Sequence, residues 1–299
     1  EYAQVAARDR AFGGPDDTVA NVYAEGEIVV GSDTVPGAVT SQGLSATLRE
    51  MRKDEDVKAV VLRVNSPGGS AIASEVIADE VKLLAEEKPL IVSMGDYAAS
   101  GGYMIAAPGA KILASPTTIT GSIGVYGLLM NFQEIANKNG ITWDVVKTAK
   151  LADMETTARP QTEAELKIQQ SYVDSLYERF TGIVAEGRDI PIARVGQVAQ
   201  GRVWTGEDAI AADLVDELGG LEDAIALAAE SAELEEDYRV REFPRLPTFE
   251  EQLLNSIFGT GVVAINQLPW NKDPLTDELL KLREEFTLME SLNDPHDVY

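Results

Sequence analysis

The chain has 299 residues, 44% of them hydrophobic, enough for one large buried core or a core with an appendage. Its 50 acidic and 25 basic residues leave a net charge of −25, a surface that repels phosphate backbones, so no nucleic acid partner is expected. With no cysteine and one histidine, the sequence excludes disulfides, thiolate nucleophiles and cysteine metal sites, and no metal or cofactor is expected.

In chain order, residues 1–18 read as a linker or arm. Val19 to Val30 alternates loosely and is rich in β-branched residues, predicting an opening strand or hairpin. Ala38 to Arg52 has helical spacing through Val39, Leu44, Leu48 and Met51. Val57 to Val64 is a short apolar run ending at turn residues, the pattern of a buried parallel strand. Ser70 to Glu87 predicts an amphipathic helix with Ile72, Val76, Ile77, Val81 and Leu84 on its apolar face, stopped by Pro89. Leu90 to Met94 is the next strand, Ala98 to Ala107 a helix of small apolar residues, Lys111 to Ala114 a third strand and Ile141 to Lys147 a fourth. Glu163 to Gly187 predicts a long helix with Leu166, Ile168, Tyr172, Val173, Leu176, Phe180 and Ile183 turned inward. Shorter helices follow at 192–199, 205–212 and 221–229, each entered at Pro, Thr-Gly or Gly-Gly.

Strands alternating with helices at this spacing predict an α/β fold with a largely parallel sheet, spanning 19–242. From Phe243 the character changes. Phe243-Pro244-Arg245-Leu246-Pro247 breaks the pattern, and Asp277 to Leu292 reads as an acidic amphipathic helix. Residues 243–299 are therefore expected to form a C-terminal helical extension and a candidate oligomer contact. No run approaches the ~18 apolar residues of a membrane span. The chain begins at Glu1 and reads as a piece of a longer protein whose anchor lies elsewhere. The acidity fits a hydrated exterior, or adaptation to high salt.

Two segments carry the chemistry. Gly68-Gly69 follows a predicted strand and opens a helix, where backbone N–H groups can hold an oxyanion and glycine lets a carbonyl approach. Ser100 follows the next strand among Ala98, Ala99, Gly101 and Gly102, which leave its hydroxyl accessible and offer the Gly101 amide as a second donor. A bare Pro-Gly-Gly is more often an ordinary turn, and Ala-Ala-Ser-Gly-Gly is more often helix-packing filler. Their pairing with each other and with Thr120-Gly121-Ser122-Ile123-Gly124 raises both above that background. Neither a phosphate-binding Gly-x-x-x-x-Gly-Lys-Ser/Thr nor a Gly-x-Ser-x-Gly elbow is present. A serine needs a base, and His296 is fourth from the C-terminal end in a polar, turn-like stretch. A catalytic Ser100 would therefore need a lysine.

Val61 to Ser70 (VLRVNSPGGS), Ala98 to Tyr103 (AASGGY), Ser115 to Val125 (SPTTITGSIGV), Gly201 to Gly206 (GRVWTG) and Leu214 to Gly220 (LVDELGG) closely resemble the signal peptide peptidase A family. The match runs from Val19 to Ala229. The resemblance implies a Clp-protease/crotonase-like fold of ββα repeats and a serine–lysine dyad, with Ser100 as nucleophile and Gly69 and Gly101 as oxyanion donors. It implies cleavage of remnant signal peptides and other hydrophobic segments by a multi-subunit ring or bowl at the outer face of the bacterial cytoplasmic membrane. In single-domain members the base lies about fifty residues after the serine. Here that stretch reads Lys147-Thr148-Ala149-Lys150-Leu151-Ala152-Asp153, with Ala152 at the base position. The departure resembles the C-terminal half of the long two-repeat form, in which the first half supplies the lysine. The base is then expected from the missing N-terminal half or a second chain.

Lys147 and Lys150 read as solvated lysines, with Lys150 the alternative base in cis; neither sits in the buried or cation-flanked setting that would lower its pKa. Gly68, Tyr103, Met104, Tyr126, Leu128, Leu129 and Met130 are candidates for an apolar groove that binds an extended peptide by strand addition, core packing being the alternative for each. Arg63 and Asp96 read as structural ion partners. Two rival functions remain: a protease-like half that binds hydrophobic chains without cleaving them, and a crotonase-type acyl-CoA enzyme. The second would need a basic patch and no Ser100.

Overall fold

The computed structural model describes residues 17–244, except 33, 34, 36, 110 and 235–237. Ten strands and eight helices are described here in chain order. They are β1 (Thr18–Glu25), β2 (Glu27–Val29), β3 (Ala38–Thr40), α1 (Ser41–Lys53), β4 (Val57–Ser66), α2 (Ala71–Glu87), β5 (Leu90–Ala99) and α3 (Gly101–Ala106). There follow β6 (Lys111–Ala114), β7 (Ile119–Gly121), α4 (Gln133–Lys138), α5 (Glu163–Gly187), α6 (Ile192–Val198), β8 (Val203–Thr205), α7 (Gly206–Ala211), β9 (Glu217–Leu218), α8 (Leu221–Ser231) and β10 (Arg239–Phe243). The main sheet runs β10-β1-β4-β5-β6-β9, with β7 on β5 and β8 on β7. Every pairing is parallel except β7–β8, as expected of an α/β fold, while β2 and β3 form a small parallel pair.

The strands' two-residue period sorts the core into two layers. Ala20, Val22, Val60, Leu62, Val64, Val92 and Met94 face α1, α2, α3 and the end of α5, while Val19, Ala59, Val61, Ile91 and Leu113 face Ala224, Ala228 and Ala229 of α8. Each fully buried Leu, Ile or Val contributes about 1.5–3 kcal/mol of transfer free energy. The β4–β5 pair is buried on both sides, which is why it reads as near-continuous apolar sequence.

Several expectations need correction. Of the two readings of Val19 to Val30, the opening strand holds and the hairpin does not: β1 pairs with β4 and β10, and β2 turns off at Gly26 (φ 98°) to pair with β3. In α2, Ile77, Val81 and Leu84 are buried, but Ile72 and Val76 are 51% and 46% exposed. Near its N-terminus the helix packs through its small residues Ala73, Ser74 and Ala78, close enough that a Cβ on Gly101 would strike the Ser74 hydroxyl, and this leaves Ile72 and Val76 on the outer side. In α5 the buried apolar residues are confined to the C-terminal half, at Phe180, Ile183 and Val184, while Glu165 is buried in the first turn; Leu166, Ile168 and Tyr172 are exposed. Ile141 to Lys147 forms no strand. Its β-branched residues lie exposed and pair with no strand, and β propensity without a neighbour does not make a strand. The expected helix at 277–292 lies outside the described residues.

Candidate active site

The small-residue segment expected as a helix from Ala98 is instead the end of β5, then Ser100 alone, then α3. Ser100 has φ 53° and ψ −121°, a conformation that costs an L-residue about 1–3 kcal/mol and persists only where its surroundings impose it. They do so through two contacts: the Ser100 N–H donates to Gly121 O (2.9 Å) and its carbonyl accepts from Met104 N (2.9 Å). Its hydroxyl makes no capping bond to the helix it opens. The strand-to-helix turn thus leaves the hydroxyl half-exposed for chemistry, with nucleophile-elbow geometry in a sequence that lacks the elbow motif.

The glycine turn lies directly against it. Ile28 N donates to Gly68 O (2.9 Å) and Ser70 N donates to Ile28 O (2.8 Å), a parallel bridge that engages the residues on either side of Gly69. In such a bridge the middle residue's N–H points to the opposite side, so the Gly69 amide faces away from Ile28. Gly68 has φ 100°, and a Cβ there would lie 2.6 Å from Gly101 N and 2.8 Å from Ser100 Cβ. A Cβ on Gly101 would lie 3.3 Å from Gly69 N. The Gly69 amide and the first amide of α3, which has no intrahelical acceptor, are therefore neighbours beside Ser100. Two neighbouring N–H groups beside a hydroxyl can receive a tetrahedral oxyanion.

A cleft of about 420 Å³ opens at Ser100, lined by Ser122, Gly124, Val125, Tyr126, Tyr177, Gln200 and Gly201. Ser122 also has positive φ (49°) and is held by its N–H on Arg202 O (2.8 Å). No residue of this lining carries a charge. Of the substrate-groove candidates, Tyr126 lines the cleft and is 90% exposed, and Leu128, Leu129 and Met130, which follow it in sequence, are exposed but outside the cleft lining. Tyr103 belongs to the core, correcting its expected place in the groove. It is fully buried, its hydroxyl donates to Leu214 O (2.9 Å), and burial pushes its phenol above the ordinary range. Met104 is buried with it. Tyr177 and Gln200 were not singled out in the sequence, and Gly201 only as the start of the Gly201–Gly206 motif; the positive φ of both Gln200 and Gly201 marks a turn that Ala199-Gln200-Gly201 only hints at.

No lysine lines the cleft. Lys147 donates to Asp153 (2.8 Å), while Lys150 is exposed on the same excursion and is not part of the cleft. Arg159 ties this excursion to α5. It bonds Asp153 (3.0 Å) and both oxygens of Glu165 (2.7 and 2.9 Å), and Glu165 closes a capping box with Thr162. Arg63 and Asp96 form no ion pair with each other; Arg63 donates to Ser93 Oγ and Met94 O, both 2.8 Å. Among the described residues no group of acidic or histidine side chains could hold a metal, and no helix is long and apolar enough to cross a membrane.

The profile of Peptidase family S49 matches residues 82–235, just over half the chain, and that of Clp protease matches 15–119. Protease 4 of Salmonella typhi is 38% identical over 100% of this chain and 49% of its own length. The chloroplastic serine protease SPPA of Arabidopsis thaliana is 35% identical over 89% and 40%. A candidate signal peptide peptidase, SppA, of Enterococcus faecium is 38% identical over 62% and 54%. The chain thus spans about half the length of these relatives. Its parallel α/β sheet is that of the Clp-protease-like fold, whose proteases act on peptides as oligomers. By the extent of the profile match, the chain belongs to peptidase family S49, a family of serine proteases.

Proposed function

We propose that this chain is the nucleophile-bearing half of a serine endopeptidase that degrades remnant signal peptides and similar hydrophobic segments. The observation that carries this is Ser100 held in a strained turn beside the paired Gly69 and Gly101 amides, at a cleft with no charged side chain. A lysine amine from another half or chain takes the Ser100 proton as Oγ attacks the scissile carbonyl. The developing oxyanion is received by the two N–H groups, each worth about 10²–10³ in kcat. The amine then protonates the leaving nitrogen, and water, activated by the same amine, hydrolyses the acyl-enzyme.

The uncharged cleft and the apolar run Leu128–Met130 support a hydrophobic, extended substrate. The name of the Enterococcus relative, a signal peptide peptidase, points to the same class. Large exposed apolar residues on the excursion after β7, with Val146 at 97% and Leu128 at 77%, support burial against further subunits in a homo-oligomer. The family resemblance supports placement at the outer face of the bacterial cytoplasmic membrane. The lysine-free cleft also favours a second reading, a half that binds hydrophobic chains without cutting them.

A fluorophosphonate probe separates the two. Adduct at Ser100 in the full-length protein, and none in the isolated chain, supports the peptidase with a base in trans. Adduct in neither leaves the binding half.

A further inference from the structure

Asn65 stands where the β4–β5 ladder breaks. Val64 pairs with Met94 and Ser66 with Ala98, so three residues of β5, Gly95 to Tyr97, stand opposite this one residue of β4. A bulge of this kind strands backbone donors that a regular ladder would have satisfied. The Asn65 side chain takes up two of them: its Oδ1 accepts from Asp96 N (3.1 Å) and Tyr97 N (3.2 Å). Two N–H donors converging on one atom identify that atom as the amide oxygen. A Cβ on Gly95 would lie 2.9 Å from Asn65 Cβ, Cγ and Oδ1, so glycine is what allows the amide to come this close.

The bulge is also where β5 changes neighbours. Up to Ser93 it pairs with β6, and from Tyr97 it pairs with β7, whose Gly121 carbonyl holds the Ser100 amide. The opposite side of the segment is fixed by hydroxyls, Thr118 to Gly95 O and Thr120 to Ala98 O, both 2.8 Å. Asn65 meanwhile accepts Gly26 N at its own carbonyl (3.0 Å), at the entry to the strand whose Ile28 grips Gly68 and Ser70. One residue thus fastens together the strand that carries the oxyanion glycine, four positions on, and the strand that carries the serine, three positions beyond Tyr97.

We infer that Asn65 is a positioning residue for the reaction, fixing the Ser100 hydroxyl relative to the Gly69 amide through the Asp96 and Tyr97 N–H groups. It touches no substrate. The inference rests on Ser100 as the nucleophile, and the control for that reading is Ser100→Ala.

The test uses the full-length protein and a fluorogenic apolar peptide, with kcat, KM, probe-labelling rate at Ser100 and thermal midpoint measured together. Asn65→Ala is expected to lower kcat and labelling by about 10- to 100-fold, the scale of a roughly 1 Å misplacement, with KM within about threefold. Asn65→Asp keeps an oxygen able to accept both amides and is expected to recover kcat to within about fivefold. An alanine variant with wild-type kcat, a loss carried by KM, or an aspartate variant as impaired as alanine would overturn the inference. Should alanine fail to fold, Asn65→Gln moves the same amide out by one methylene and is expected to lose about tenfold in kcat; wild-type kcat there would overturn it equally. If Ser100→Ala itself leaves hydrolysis and labelling intact, it is the nucleophile assignment that fails.

Discussion

Gly68→Ala tests the contact between the two halves of the site. At φ 100° an alanine carries a left-handed penalty of about 1–2 kcal/mol. Its Cβ would also lie 2.6 Å from Gly101 N, 2.8 Å from Ser100 Cβ and 2.9 Å from Ala99 O. Two of those three atoms are backbone and cannot rotate away, so overpacking adds about 1–3 kcal/mol. The sum, about 2–5 kcal/mol, corresponds to a fall in Tm of roughly 4–20 °C for a unit of this size. Gly140→Ala is the matched control: φ is 75° but nothing lies within 4 Å of the new Cβ, so it carries the backbone penalty alone. Relief of the overlap must push the Gly68-Gly69 turn away from α3 and separate the two amides. In the full-length protein Gly68→Ala should therefore also lose about 10²–10³ in kcat and probe labelling, the worth of one oxyanion donor, while Gly140→Ala keeps its activity. Equal Tm and equal labelling for the two variants would refute the stated packing of the glycine turn on Ser100.

Three further outcomes follow from the same geometry. Hydrogen bonds from Arg159 hold the Asp153 and Glu165 carboxyls below their ordinary values of 3.8 and 4.5, Glu165 at about 2, assisted by Lys147 at Asp153 and by the Thr162 amide at Glu165. The unfolded chain binds these protons first, so their stabilisation is complete above about pH 4.5 and is lost as pH falls through the lowered values. Urea unfolding between pH 5 and 2 should show that slope, and Arg159→Met should flatten it; an unchanged slope would contradict the ion cluster. Tyr103→Phe strands the Leu214 carbonyl and should cost about 1–3 kcal/mol in denaturant unfolding, yet leave kcat/KM on apolar peptides unaltered; a changed substrate preference would return Tyr103 to the groove. Lys150→Ala should label at Ser100 within about twofold of the wild-type rate, because Lys150 is no part of the cleft; abolished labelling would make it the base.

The sheet was legible because its central strands are unambiguous. Val57–Val64 and Leu90–Met94 are apolar runs bounded by turn residues, and the structure extends both only at their C-terminal ends, into Asn65-Ser66 and Gly95–Ala99. Those extensions contain the site, and they are polar or small, so hydrophobic periodicity is silent there. The turn at Ser100 was readable as chemistry from its small neighbours but not as geometry, since Ala98-Ala99 looks helical until β7 pairs with it. Outward-facing apolar residues misled for the opposite reason. Ile72, Val76, Leu166 and Tyr172 have core-like spacing, but the described part of this chain gives them no surface to meet. Periodicity reports an apolar stripe without naming its partner. Lys147 and Lys150 are exposed, as their polar setting suggested, and Lys147 is held by Asp153.

The most direct measurement is the structure of the full-length protein carrying a phosphonyl adduct on Ser100. The account predicts a lysine Nζ from outside these 299 residues within about 2.6–3.2 Å of Ser100 Oγ, and the Gly69 and Gly101 nitrogens about 2.7–3.1 Å from the phosphonyl oxygen. An adducted serine with no lysine amine at that distance, or with its oxygen facing away from the two glycine amides, would contradict it.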